Sequence, residues 1–250
     1  MKNLVEINSG EFWYERGKIL FSGLNFTVKK GEILAILGLN GQGKSTLLNC
    51  LMKILPLRAG SVSLNSTFSY LPQNFALNFD FNVLDIVIMG RVREISLFSK
   101  PSPNDAKIAL EALESLGIAN LAQQSFNSLS GGQKQLVLFA RCIASKSEIL
   151  FLDEPLSALD LKNQDKVLTL IFELKKRFDL SVIFTTHQPS HALAISDKTL
   201  ILQSDLSYSF GESNEILSEQ NLTKLYEIEI KRLNFAKFSA ITQIFSAQKQ

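Results

Sequence analysis

The chain has no apolar run that approaches the ~18–20 residues needed to cross a bilayer. That excludes a helical integral membrane protein, so any role at a membrane must go through partners. The opening Met1-Lys2-Asn3-Leu4-Val5-Glu6 turns polar too early for a secretory signal, and a soluble, cytosolic chain is expected. Only two cysteines occur, Cys50 and Cys142, far apart and in predicted helices. They cannot form a disulfide framework and suit reduced core thiols. Charge of one sign is also missing. Lys and Arg number 26 against 24 Asp and Glu, scattered without the basic stripe that grips nucleic acid. The two histidines, His187 and His191, lie four residues apart but have no third ligand at suitable spacing, so the pair is read as coincidence and not as a metal site. What the chain does have is 46% hydrophobic residues over 250 positions, enough for one large domain or a domain with a subdomain.

Short β-rich runs alternate with helical patterns. Residues 4–7 and 21–28 read as strands, and Glu32–Leu37 as a buried strand running into glycines, followed by a helix from Lys44 to Ile54. Two more strands are expected at 61–64 and 68–71. From about 74 to 145 the pattern turns helical, with Ser102-Pro103 as a helix start. After 147, strands and helices alternate again: 148–152, a helix near 163–177, then 181–185. An α/β core interrupted by a helical insert fits a mostly parallel sheet with crossover helices.

The run Gly38-Leu39-Asn40-Gly41-Gln42-Gly43-Lys44-Ser45 matches the phosphate-loop pattern. Its glycines let successive N–H groups turn inward at the β- and γ-phosphates, and the positive end of the next helix faces the same anion. Lys44 supplies a charge to those oxygens, and the Ser45 hydroxyl is placed to ligate Mg²⁺. A chance glycine-rich turn would lack the flanking buried strand and helix. Asp153 ends an apolar strand and emerges at the sheet's carboxyl edge, where it can hold Mg²⁺ through water. Glu154 follows and can accept a proton from an attacking water, as a general base must. The blander reading is a solvated acidic pair. His187 closes the apolar strand Val182–Thr186 and is expected to contact the γ-phosphate from the same edge. Tyr14, in the cluster Phe12-Trp13-Tyr14, either stacks on the base of ATP or packs on an edge strand.

Between the loop and the acidic pair lies Leu129-Ser130-Gly131-Gly132-Gln133, a second anion site at the start of a predicted helix. With these motifs the chain resembles an ABC-transporter nucleotide-binding subunit over nearly its whole length. Gly38–Thr46 looks like the Walker A loop, Gln73 like the Q-loop glutamine, and Ser130–Gln133 like the signature. Leu150–Glu154 resembles Walker B, Ser157-Ala158-Leu159-Asp160 the D-loop, and His187 the switch histidine. The resemblance implies an α/β fold: a P-loop NTPase core, mostly parallel sheet with an antiparallel β region, carrying a helical subdomain inserted between Q-loop and signature. It implies one ABC ATPase domain over 1–250, with residues 1–73 and 146–227 as core, about 74–145 as helical subdomain, and 228–250 as a tail.

The same resemblance implies ATP bound by Tyr14, Gly38, Asn40, Gly41, Gly43, Lys44, Ser45 and Thr46, and Mg²⁺ held by Ser45, Gln73 and Asp153. Glu154, His187, Lys44 and Gln73 are the implied catalytic residues. Ser130, Gly131, Gly132 and Gln133 would meet ATP held by a second copy in a head-to-tail dimer, and Asp160 is the implied D-loop residue. The implied partners are that copy, a separate integral-membrane permease docked on the helical insert and, indirectly, a substrate-binding protein. The subunit would sit peripherally on the cytoplasmic face of the cell membrane.

Val83–Arg91 and Leu222-Thr223-Lys224-Leu225-Tyr226 resemble ATPases of the importer class that moves iron-siderophores, haem and cobalamin. The stretch from Asn82 through Ile143, with Phe184–Pro189, is most similar to ATPases of molybdate/tungstate importers built on that plan. Two departures stand out. Gln123-Gln124 occupies a place where family members often carry Arg, and Gln188 follows His187 where an acidic residue is common; neither removes a catalytic group. A non-transport ABC ATPase of DNA repair or translation would need a long coiled-coil insert or two cassettes, whereas about 85 residues separate Ser45 from Ser130. An exporter subunit would carry the same motifs. A non-hydrolysing cassette would not need Glu154 and His187, and both are intact. In the tail, Phe238, Ile241, Ile244 and Phe245 fall at near-helical spacing, expected to cap the core or else to touch the dimer partner.

Overall fold

In the computed structural model, which describes residues 2–15, 17–73, 75, 79–96, 99–157, 159–236 and 239–244, the continuous apolar runs become the centre of a six-stranded sheet. β1 (Asn3–Trp13) and β2 (Ile19–Lys29) pair antiparallel, and the aromatic cluster lies where β1 ends. β3 (Ile33–Leu37) enters the large sheet and leads through the glycines into α1 (Lys44–Leu51). Lys53 takes a left-handed φ of 60°, so the helix stops short of Ile54. β4 (Ala59–Leu64) returns to β1, completing the order β2-β1-β4, and β5 (Phe68–Leu71) opens the edge of the large sheet.

The helical stretch follows: α2 (Val83–Ile88), α3 (Pro103–Ser115) and α4 (Gly131–Ala144). Ser102 and Asp105 form a capping box that satisfies the first N–H groups of α3, with Pro103 at its first position. Arg91 is buried, reaching Asp105 Oδ1 at 3.3 Å and the Ala144 carbonyl at 3.2 Å. It therefore ties the turn after α2 to both α3 and α4. Gly90 is required there, because a β-carbon would lie 2.2 Å from the Arg141 carbonyl.

β6 (Ile149–Leu152), α5 (Leu161–Phe178), β7 (Ser181–Thr186) and α6 (Pro189–Ile195) resume the alternation. β8 (Lys198–Leu202), β9 (Tyr208–Glu212), α7 (Ser213–Ile216) and α8 (Glu219–Tyr226) complete it. The large sheet runs β5-β6-β7-β3-β8-β9, parallel throughout except for the final β8/β9 pair. Its central strands are buried on both faces, and their period of two assigns alternate residues to separate cores. Ile33, Ala35 and Leu37 pack with Val182, Phe184 and the helical stretch. Leu34 and Ile36 face α1 and the antiparallel sheet, with Phe151 and Ile183.

The near-helical spacing in the tail does not become a helix. β10 (Glu229–Asn234) and β11 (Ser239–Ile244) form an antiparallel hairpin, with Arg232 opposite Ile241. Ile241 packs against the main core, while Phe238 and Phe245 lie outside the described residues. Cys50 and Cys142 are buried and free, and burial raises the Cys50 thiol to about 11 and the Cys142 thiol upward, so both remain neutral core groups. No described helix is long and apolar enough to cross a membrane.

Candidate active site

Parallel register converts separate motifs into one edge. Leu37 lies opposite Thr186, Leu152 opposite Phe184, and Leu71 opposite Leu152. The residues that follow these strand ends, Gly38, Asp153, Pro72 and His187, therefore emerge side by side at the carboxyl edge, where α/β sheets bind ligands. Gly43 caps α1 at a φ of 86°, and a β-carbon there would press on Leu20 Cβ at 3.2 Å.

Lys44 is only 5% exposed. Its ammonium donates to the carbonyls of Gly38 (3.0 Å) and Leu39 (3.1 Å) and pairs with Glu154 Oε1 at 3.1 Å. The Ser45 hydroxyl donates to Asp153 Oδ1 at 2.9 Å. Thr185 Oγ1 donates to the same oxygen at 2.7 Å and accepts the Glu154 N–H at 2.8 Å. Glu154 itself sits at a φ of 44°, a left-handed conformation that costs a non-glycine residue ~1–3 kcal/mol unless its surroundings hold it. Gln73 Nε2 reaches Glu154 Oε2 at 3.3 Å, and His187 Nδ1 stands 3.6 Å from that oxygen.

Two largely buried carboxylates thus face one buried ammonium, a local excess of negative charge that suits a divalent cation. The inner donors, Ser45 Oγ and Asp153 Oδ1, are hard oxygens of the kind Mg²⁺ prefers. Among the described residues no cluster of three or more His, Cys, Asp or Glu is placed to hold a metal.

Tyr14 is 60% exposed, edge-on to Phe12, and its hydroxyl lies 3.1 Å from Thr46 Oγ1. Its ring therefore stands over the start of α1. Asn40 and Gly41 are exposed on the loop. Ser130 caps α4 through a capping box with Gln133, and Gly131 and Gly132 open that helix. Among the described residues no hydrogen bond or ion pair joins 130–133 to 38–46 of the same chain. Asp160 caps α5 by accepting the Asn163 N–H at 2.8 Å; Ala158 of the D-loop lies outside the described residues.

Some contributors are not legible in the sequence as site residues. Thr185 reads as one more strand residue, yet it holds both members of the acidic pair. Its signal is a buried hydroxyl one strand over, in register with Asp153. Gln42 folds its side chain back to accept the Leu39 N–H at 2.6 Å. Arg141 of α4 donates to the Tyr70 carbonyl at 3.2 Å and covers the Phe75 ring at 4.6 Å, linking the helix behind Ser130 to the segment around Gln73.

Both ring nitrogens of His191 face protein partners. The residue is 6% exposed, with Nδ1 3.2 Å from Thr186 Oγ1 and Nε2 3.3 Å from Gln164 Oε1, and burial lowers its pKa to about 4. Unfolded, it would titrate near 6.5, so the unfolded chain takes up the proton first as pH falls. Stability is therefore present above that value and drains away down to about 4. Between pH 6.5 and 4 the wild type should lose up to about 3 kcal/mol more of its unfolding free energy than H191Q does, measured by urea titration. Equal losses in both proteins would show that His191 is not the responsible group.

The family profile for ABC transporters matches residues 21–157. The chain belongs to the ABC transporter family. This ABC chain is 45% identical over 228 residues to the molybdate import ATP-binding protein of Haemophilus influenzae, covering 91% of this chain and 90% of that one. It is 34% identical to a probable iron chelatin transport ATP-binding protein of Helicobacter pylori, over 92% and 95% of the two chains. A solved metal-chelate type ABC transporter, in an inward-facing conformation, aligns with a TM-score of 0.93 at 41% identity over 98% of this chain and 99% of that one. The family resemblance carried by the motifs is borne out, and this ABC chain is an ATPase.

Proposed function

We propose that the chain is the ATP-hydrolysing subunit of an importer, powering uptake of a metal chelate or metal oxyanion through a separate permease. The observation that carries the ATPase part is the convergence of Lys44, Ser45, Asp153, Glu154, Gln73 and His187 at one sheet edge. In this reading Gly38, Asn40, Gly41, Gly43 and Thr46 surround the phosphates, and Tyr14 stacks on the base. Lys44 leaves Glu154 to take up phosphate oxygens. Ser45 and Asp153, with Gln73 beside them, would hold Mg²⁺; bound there, the ion neutralises charge developing on the phosphate oxygens. Glu154 accepts the proton of the attacking water, and His187 contacts the γ-phosphate.

The helix start at Ser130–Gln133, with no hydrogen bond or ion pair to its own loop among the described residues, supports a head-to-tail pair in which each copy completes the other's site together with Asp160. Closure would then depend on the γ-phosphate. Phe79, Met89 and Val92 are exposed on the helical stretch, apolar surface of the kind that receives a partner helix. A permease seated there would place the subunit on the cytoplasmic face of the membrane, with Gln73 relaying nucleotide state.

The cargo class is supported by the names of the relatives, which span molybdate and iron chelate. In vesicles holding the subunit, its permease and its binding protein, molybdate or tungstate should stimulate ATP turnover above the basal rate. Stimulation by an iron chelate and not by the oxyanions would move the cargo to the other branch; stimulation by neither would reject both.

A further inference from the structure

Tyr226 closes α8, a helix anchored in the core by Leu222 and Leu225. Its hydroxyl donates to the main-chain carbonyl of His187 at 2.7 Å. Burial pushes the phenol well above its ordinary range, so it stays protonated and remains a donor at any working pH. The His187 ring has no comparable support. Its Nδ1 is without a hydrogen-bond partner, and Glu154 Oε2 stands at 3.6 Å, outside hydrogen-bond reach. An imidazole with no bond of its own is aimed by its backbone. That backbone bridges β7 and α6: before it the Thr186 carbonyl accepts the Gly38 N–H at 3.4 Å, and after it the Gln188 N–H donates to Thr186 Oγ1 at 3.1 Å. The tether from Tyr226 is different, because it falls on the histidine's own carbonyl.

We propose that Tyr226 is a positioning residue for His187, holding the histidine backbone so that its ring faces the Glu154 side of the site. The C-terminal hairpin takes part in the same arrangement. The Ile230 N–H donates to Thr223 Oγ1 at 3.1 Å, fastening β10 to the last turn of α8, and Ile241 of β11 packs on the core. Turnover in this protein then depends on α8 and on the hairpin fastened to it. The inference rests on the reading of His187 as a γ-phosphate contact.

Steady-state ATPase kinetics of the purified full-length Y226F and H187A variants separate the two ideas. Phe keeps the ring's packing and removes only the donor. Y226F should lower kcat about tenfold, the scale of one hydrogen bond, with KM for ATP within about twofold of wild type. H187A should lower kcat further, and adding Y226F to H187A should cause no additional drop. A normal kcat for Y226F beside an impaired H187A would overturn the positioning role alone. A normal H187A would instead remove the reading of His187 on which it stands. A Y226F protein that loses KM and thermal stability together, or that loses the same factor again in the H187A background, would show a general structural role and overturn the proposal.

Discussion

Replacing Glu154 by Gln is expected to stop ATP turnover while leaving ATP bound. Loss of a positioned general base lowers rate by about 10²–10⁴-fold. The amide is nearly isosteric, so the left-handed backbone at 44° and the contacts from Thr185 and Gln73 can persist. The variant also removes the carboxylate that pairs with Lys44 at 3.1 Å, so that ammonium is freer for phosphate and ATP affinity should hold or rise. With hydrolysis blocked, two copies should remain joined around their nucleotides. Size-exclusion chromatography of E154Q with ATP and Mg²⁺ should show a dimer that wild type does not retain. A monomer under those conditions would reject the shared-site role of Ser130–Gln133, and unimpaired hydrolysis would reject Glu154 as base.

The second large effect is expected at Lys44. K44A should weaken ATP binding by about 100-fold or more, the scale of a desolvated charge-assisted contact. It should also destabilise the protein, for a reason specific to this site. Lys44 and Glu154 are a largely buried pair, with side chains 5% and 11% exposed, and removing one partner strands the other's charge. Such a loss is commonly ~3–5 kcal/mol. The double variant K44A/E154Q should therefore regain stability without regaining ATP. Calorimetric titration and thermal melts read the two effects apart. Unchanged ATP affinity in K44A would sink the phosphate-loop role of this residue.

The centre of the sheet and its outlet are legible in the sequence because those parts are dictated locally. Ile33–Leu37 and Val182–Thr186 are apolar on both faces, and the glycines 38, 41 and 43 mark the turn whatever surrounds it. The polar partners are harder to read, because they depend on which strands become neighbours. Thr185 matters only once β7 lies beside β6 in a register that sets it against Asp153 and Glu154. Tyr226 likewise acquires meaning only when α8 packs behind the turn after β7. The tail misleads for another reason. Four apolar residues at spacings of three, three and one cannot separate a short helix from a strand, and pairing with 229–234 decides the matter.

The two-faced burial of β3 has a further consequence for how this chain can change length. Its five residues alternate between separate cores and end directly at the nucleotide loop. Deleting any one of them would swap the occupants of both cores at once and turn the loop to the opposite side of the sheet. Variation in chain length between close relatives should therefore be absent from 33–45.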